Sequence, residues 1–372
     1  MSLNKTKPPK FREKLLERFL DPATQYSAIG DFSEMFNYNA ENKGTLYAKC
    51  WYWIQVLKAF VSYTKNNILW SMTMFKNYMI IALRNIRKQK SFSIINISGL
   101  AIGLASCIII LLYVLSELSY DKFNKNADNI YRLGMHAVMG GNEINTPLSN
   151  PPSALALVRN YPEVINAVRL YPIASNTVKY EDKLFYENRI VFADNSLFDL
   201  FTLPFISGDP ETALLTRYTA VISEDIATKY FEQEDPIGKV LKLNNVDNYT
   251  VTGVIKNLPE NSHFTFDIFC SFETLYEKQE QRIHMWMNFN YYTYLLLQND
   301  FDYKQLQEKL PAFSEKYMGE SKKMIGAQLD LFLQPLTDIH LHSHLRGELS
   351  VNSDISYVYI FSAIAGFILL IA

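Results

Sequence analysis

From Ile94 to Leu115 the chain runs 22 residues without a charge, IINISGLAIGLASCIIILLYVL, and its polar side chains are small or single (Asn96, Ser98, Ser106). About 20 apolar residues cross a bilayer at ~1.5 Å rise per residue. Gly99, Gly103 and Ala105 are small enough to let a neighbouring helix approach closely. A buried helix of a soluble protein is the competing reading, but soluble helices of this length carry a polar face. A signal peptide does not fit, because 93 residues precede the run and the run is too long.

The charges on either side orient the span. Arg84, Arg87, Lys88 and Lys90 precede it; Glu117, Asp121 and Lys122 follow. Basic residues next to a span stay in the cytoplasm, which puts the N-terminus inside and the segment after Leu115 outside. The whole chain shows the same division. Residues 1–92 hold 15 Lys+Arg against 6 Asp+Glu, whereas the remaining 280 hold 21 against 32. A charged fraction of 20 % excludes a wholly disordered chain, and a net charge of −2 gives no general nucleic-acid signal. A second apolar run, YVYIFSAIAGFILLIA, occupies Tyr357 to Ala372. At 16 residues without a polar flank it reads as the start of a second span, truncated within the membrane.

The rest is polar and mixed. Phe11, Leu15, Leu16 and Phe19 form a helical stripe; 21–44 reads as looser; 46–63 reads as an aromatic helix. In that helix Trp51, Tyr52 and Trp53 suit either an interfacial belt or a helix–helix contact. Over 75–90, Phe75, Tyr78, Met79, Ala82, Leu83 and Ile86 share one helical face beside Lys76, Arg84, Arg87 and Lys88. This pattern fits a basic amphipathic helix in the inner membrane interface, or a plain extension of the span. Outside, strands are expected at 130–138, 164–170, 219–223, 291–298 and 327–334, with helices at 151–160, 224–231 and 303–317. Asn244-Asn245 between 240–243 and 249–255 signals a hairpin. The alternation predicts an α+β domain, read as two βαβ-like lobes.

The search for chemistry returns little. Cys50, Cys107 and Cys270 fall inside, in the membrane and outside, so no two can pair or share a metal. Gly238-Lys239 lacks a Walker A loop, with Gln233 where its first glycine would stand. His340, His342 and His344 in DIHLHSH would share one face of a strand, a spacing open to an imidazole metal site or to a solvated strand. His263 and His284 sit in no helical ligand motif, and no Gly-x-Ser-x-Gly elbow is present.

Several blocks, in one order, resemble the MacB/FtsX-type permeases of ABC transporters. The stretch 74–105, MFKNYMIIALRNIRKQKSFSIINISGLAIGLA, is similar to the start of that family. Leu118-Ser119-Tyr120-Asp121 to Asn129-Ile130-Tyr131-Arg132 is similar to the passage into its periplasmic core domain. Then come Ala193-Asp194 to Phe198-Asp199-Leu200-Phe201, Ser207-Gly208-Asp209-Pro210 and Val221-Ile222-Ser223. Glu234-Asp235-Pro236-Ile237-Gly238-Lys239, Val251-Thr252-Gly253-Val254-Ile255 and Leu258-Pro259-Glu260-Asn261-Ser262-His263-Phe264 follow. Pro335 to Ser343, PLTDIHLHS, resembles the passage out toward a second span, which makes the histidine run a return strand. The likeness covers about 300 residues and extends weakly to the prefix. Glu232 departs from it, since related sequences have glycine after Tyr-Phe.

The resemblance implies a membrane protein with an α+β extracytoplasmic domain: a helical cytoplasmic prefix at 1–73, an interfacial helix at 74–92, a span at 93–116, a periplasmic core domain at 117–352 and a truncated span at 356–372. It implies a permease in the bacterial inner membrane, acting by mechanotransmission in export or in control of periplasmic partners. The expected partners are a separate ABC ATPase subunit, a second permease copy or half, a periplasmic adaptor or substrate protein, and membrane lipids. No enzyme activity, cofactor or nucleic acid is expected. The alternative is a transmembrane receptor, which shares the order helix, external domain, helix; an anchored enzyme using the His340/His342/His344 face is a third reading.

Overall fold

Asn150 and two prolines open a helix at the residue the sequence marks for it, and the chain follows such signals over much of its length. The computed structural model describes residues 25–371 together with Phe11, Lys14, Arg18 and Leu20; of residues 25 and 65–72 it describes the backbone. The stripe expected over Phe11 to Phe19 lies outside the described residues, apart from Phe11, Lys14 and Arg18. The chain divides into two units, Met1–Ala101 and Ile102–Ala372.

In the first unit α1 (Gln25–Lys43) and α2 (Thr45–Lys88) meet at Gly44. The looser segment expected over 21–44 is therefore corrected: from Gln25 it is helix. Asn, Ser and Gly dilute its apolar stripe, but Phe32 and Phe36 reach α2, where Phe36 stands edge-on to Tyr52 at 5.9 Å and Phe32 lies 6.2 Å from Trp51. Tertiary contact outweighs weak local propensity here. Tyr52 is buried and Trp51 faces Phe32, so both serve the helix–helix contact, while Trp53 is partly exposed. Helix α2 passes through residues 73 and 74 unbroken and ends at Gln89, whose φ of −114° and ψ of 56° leave the helical region. Helix α3 (Lys90–Glu117) follows and carries the uncharged run; it is long and apolar enough to cross a membrane.

The second unit is built on β1 (Ile130–Met139), β2 (Asn142–Thr146), α4 (Pro151–Asn160), β3 (Val164–Ile173), β4 (Asn176–Tyr180), β5 (Lys183–Glu187) and β6 (Ile190–Ala193). Next come α5 (Leu197–Leu200), β7 (Phe205–Gly208), β8 (Thr219–Ser223), α6 (Glu224–Phe231), β9 (Val240–Leu243), β10 (Asp247–Ile255) and β11 (Ile268–Ser271). It closes with α7 (Glu273–Lys278), α8 (Glu280–Ile283), β12 (Tyr292–Leu297), α9 (Tyr303–Gln307), α10 (Leu310–Ile325), β13 (Ala327–Pro335), α11 (Ile339–His342) and α12 (Ile355–Ile371). The expected two βαβ-like lobes are corrected. The described strands join in one mixed sheet, ordered β13-β1-β12-β3-β6-β11-β8-β10-β9-β4-β5, with β2 on β1 and β7 on β10. Among the described strands only β8/β10 and β6/β11 pair in parallel.

Local chemistry explains the boundaries. Asn150 Oδ1 accepts from Ser153 N at 3.0 Å and Pro151 opens α4, while Ser223 caps α6 through Ile226 N. Asn244 and Asn245 both take positive φ in the hairpin from β9 to β10. The helix expected over 303–317 is two helices, because Pro311 is tolerated only in a first turn and α10 starts at Leu310. Gly238 takes φ 78° after Pro236, as that turn requires, whereas Glu232 holds φ 55° with an ordinary side chain. Helix α6 buries Ile226, Tyr230 and Phe231 against Val178, Ile222 and Val251. Helix α10 buries Leu310, Phe313 and Met318 against Leu329 and Leu331.

Candidate functional site

Two stretches join the apolar helices to the sheet: an outbound leg after α3 and a return leg before α12. Along the helices, Val114 and Val358 pack with Leu341, Tyr113 stands edge-on to Phe361 at 5.3 Å, and Cys107 Sγ donates to the Ala365 carbonyl at 3.4 Å. Where the helices end, polar contacts take over.

The loop between β10 and β11 holds the outbound leg. Asp121 N donates to the Asn261 carbonyl at 2.8 Å, and Asn261 Nδ2 donates to Ser119 O at 3.0 Å and Ser119 Oγ at 2.9 Å. To make this turn Asp121 takes φ 59°, a left-handed conformation that a short polar side chain tolerates. Its carboxylate lies 2.8 Å from His263 Nδ1, and His263 Nε2 lies 2.7 Å from Tyr294 Oη on β12. A carboxylate can only accept, so Nδ1 carries the hydrogen. Burial pushes the Tyr294 phenol well above its ordinary range, so it keeps its proton and donates to Nε2.

The same loop holds the return leg, where Ser350 Oγ donates to the His263 carbonyl at 2.8 Å. His263 therefore takes the outbound leg by its ring and the return leg by its backbone. Asp-His-hydroxyl order recurs in hydrolases, but these side chains are closed off: Asp121 and His263 are 1 % exposed and Tyr294 is 0 %. No substrate atom reaches a nucleophile there. The relay positions; it does not react.

Two further contacts fix the return leg. His340 Nε2 lies 3.1 Å from Glu117 Oε2, its ring is stacked on Tyr120, and its carbonyl accepts from Ser353 N at 2.9 Å. On β1, the fully buried Arg132 grips Glu348 with both terminal nitrogens, at 2.5 and 2.8 Å, and also donates to Gln334 Oε1 at 2.6 Å. Ser343 Oγ donates to the same carboxylate at 2.5 Å. A planar guanidinium suits this two-pronged grip.

The strand expected for His340, His342 and His344 is corrected. Leu336–Asp338 is a 3-10 turn and Ile339–His342 a helical turn, so the three side chains diverge. His340 is buried toward Glu117, His342 is exposed, and His344 Nε2 lies 3.3 Å from Asp354 on the surface. Among the described residues no three His, Cys, Asp or Glu side chains come together as a metal site. In the sequence Asp121 stands out as a charge flanking the span and His263 as a histidine outside any ligand motif, while Arg132 and Glu348 carry no signal of their own; the pairings Asp121–His263 and Arg132–Glu348 span 142 and 216 positions, and no local pattern links them.

The outbound leg, the loop 258–264 that grips it and the strands from β1 to β12 fall in the part of the chain that a family model recognises. That model, described as the MacB-like periplasmic core domain, matches residues 93–313. The chain belongs to the MacB-like periplasmic core domain family. Among solved structures, a domain of a permease protein from Porphyromonas gingivalis is 22 % identical, with a TM-score of 0.53, covering 64 % of this chain and 98 % of its own. The periplasmic region of MacB from Actinobacillus actinomycetemcomitans is 14 % identical over 57 % of this chain and 91 % of its own, with a TM-score of 0.41. The extracellular domain of the ABC-type transporter YknZ from Gram-positive bacteria is 14 % identical over 55 % and 99 %, with a TM-score of 0.37. No curated protein matches. The family match covers α3 from Ser93, both halves of the Asp121–His263 contact and the strands β1 to β12, and thus ties this chain to the periplasmic domains of MacB-type ABC permeases.

Proposed function

We propose that this chain is the permease subunit of an ABC transporter that works by mechanotransmission. In this reading α3 and α12 cross the inner membrane, the N-terminal helices stay in the cytoplasm, and the sheet domain stands in the periplasm. A separate subunit hydrolyses ATP. Two permease copies, or related halves, carry that cycle through the membrane to export a substrate or control a periplasmic partner.

The observation that carries this reading is the double attachment of His263. Its ring holds Asp121 on the outbound leg and its carbonyl holds Ser350 on the return leg. A relative shift of α3 and α12 then acts directly on one loop of the domain, between β10 and β11. Packed, hydrogen-bonded elements transmit such shifts rather than absorb them. Family membership supports the same assignment. The receptor layout shares the order of elements but has no observation of its own in its favour.

The test is to isolate the tagged full chain from native membranes in mild detergent. It should bring down a subunit with a Walker A loop and vanadate-sensitive ATP hydrolysis. A chain that comes down alone, or with a signalling kinase, contradicts the proposal.

A further inference from the structure

Strand β5 ends the sheet, pairing with β4 and with no other described strand. Its exposed side is apolar: Leu184 is 51 % exposed and Tyr186 80 %. Tyr180 and Lys183 pair across the two-residue turn Glu181-Asp182, so the pairs Tyr180/Lys183, Val178/Phe185 and Asn176/Glu187 exchange the backbone hydrogen bonds. Leu184 and Tyr186 then direct their N–H and C=O groups off the edge. Neither takes another hydrogen bond among the described residues. An open apolar edge of this kind is a template for a further strand.

We infer that β5 pairs antiparallel with β5 of a second copy of this chain, with Phe185 opposite Phe185. The sequence selects both the occupant and the register. Outward hydrogen bonding at Leu184 and Tyr186 leaves three two-fold registers. With Leu184 facing its own copy, Lys183 meets Phe185 and Glu187 runs past the strand toward the turn residue Glu181, which holds φ 50°. With Tyr186 facing its own copy, Glu187 meets Phe185 and Lys183 runs past the strand end, where Arg189 is held by Asp267. With Leu184 facing Tyr186, Lys183 meets Glu187 at each end of the paired strands. Only that last register places opposite charges at both ends and apolar side chains between them, and opposite-charge pairs across strands stabilise while like charges oppose. Within one chain Lys183 already bonds Glu232 at 2.7 Å and Lys229 bonds Glu187 at 2.7 Å, so pairing would extend an existing alternation of charge.

The inference rests on the reading that two permease copies act together, and it names a contact between them. The test uses the full chain in membranes with exposed Cys50 replaced by serine. Phe185 would face its copy at a non-hydrogen-bonded pair, where Cα atoms lie about 4.5 Å apart, within disulfide reach. Phe185→Cys alone should oxidise to a dimer. Leu184→Cys or Tyr186→Cys alone should not, but chains carrying one and chains carrying the other, produced together, should link. Because Leu184 and Tyr186 are exposed, this mixed arm holds even where Phe185→Cys disturbs packing. Lys183→Glu should cut the mixed link several-fold. Absence of the mixed link, or a dimer strongest at position 184 or 186 alone, overturns the pairing. A chain that gives no link but still brings down an active ATPase overturns the pairing and leaves the proposed function standing.

Discussion

The Asp121 carboxylate and the His263 ring face each other at 2.8 Å with both side chains 1 % exposed. One belongs to the segment leaving α3 and the other to the loop between β10 and β11, so the contact fastens a helix end to the sheet. Removing one member of such a buried pair strands the other without water. His263→Leu should lower stability by about 3–5 kcal/mol. Asp121→Asn, which keeps an acceptor for Nδ1–H, should cost clearly less. Thermal unfolding of the full chain in detergent checks both, and equal losses would show that a neutral acceptor for Nδ1–H does not replace the carboxylate charge.

Arg132 and Glu348 make the corresponding clamp on the return leg. Arg132→Met alone leaves a nearly buried carboxylate uncompensated, with an expected loss of about 3–5 kcal/mol. Replacing both residues by methionine should recover most of it, since desolvation offsets much of what a buried pair gains. A double-mutant cycle on unfolding midpoints reads the coupling, and additive losses would argue against it.

Glu232 closes α6 in a strained backbone conformation for a non-glycine residue, φ 55°, ψ −101°. Its side chain is 74 % exposed and its ion pair with Lys183 is a surface one, so little is lost with it. Glu232→Gly should stabilise the chain by about 1 kcal/mol, seen as a higher urea midpoint. A lower midpoint would show that the Lys183 contact outweighs the strain.

Glu163 gives a pH signature. Burial alone would raise its pKa, but the hydrogen bond and charge of Lys309, at 2.6 Å, hold it below the usual 4.5. A lowered folded pKa means that protonation favours the unfolded chain. The contribution is complete above the unfolded pKa, near 4.5, and fades as pH falls from there through the lower folded one. The melting-temperature gap between the native chain and Lys309→Met should therefore narrow over that window. A constant gap would show that Lys309 acts through packing alone.

Local signals carried far in this chain. The cap at Asn150, the cap at Ser223, the Asn244-Asn245 turn and the uncharged run at 94–115 depend on neighbours within a few positions, and each appears where its residues imply. Strands β4 to β7 and β11 are four or five residues long, too short for a period to register, and they exist through partners far along the chain. The histidine run misled for a related reason. Its alternation suits a strand, but burial of Leu336, Ile339 and Leu341 against the sheet and the helix ends winds it into turns. The attachment site was legible only in pieces, because Asp121 and His263 meet across 142 positions.

In the proposed mechanism α3 and α12 move against each other during the ATPase cycle. Tyr113 and Phe361 stand 5.3 Å apart across the two helices. Tyr113→Cys with Phe361→Cys, in a Cys50→Ser, Cys107→Ala chain, allows a short cleavable thiol bridge to tie them in the purified transporter. Bridging should cut ATP turnover about tenfold, and cleaving the bridge should restore it. Unchanged turnover in a fully bridged transporter would contradict the mechanism.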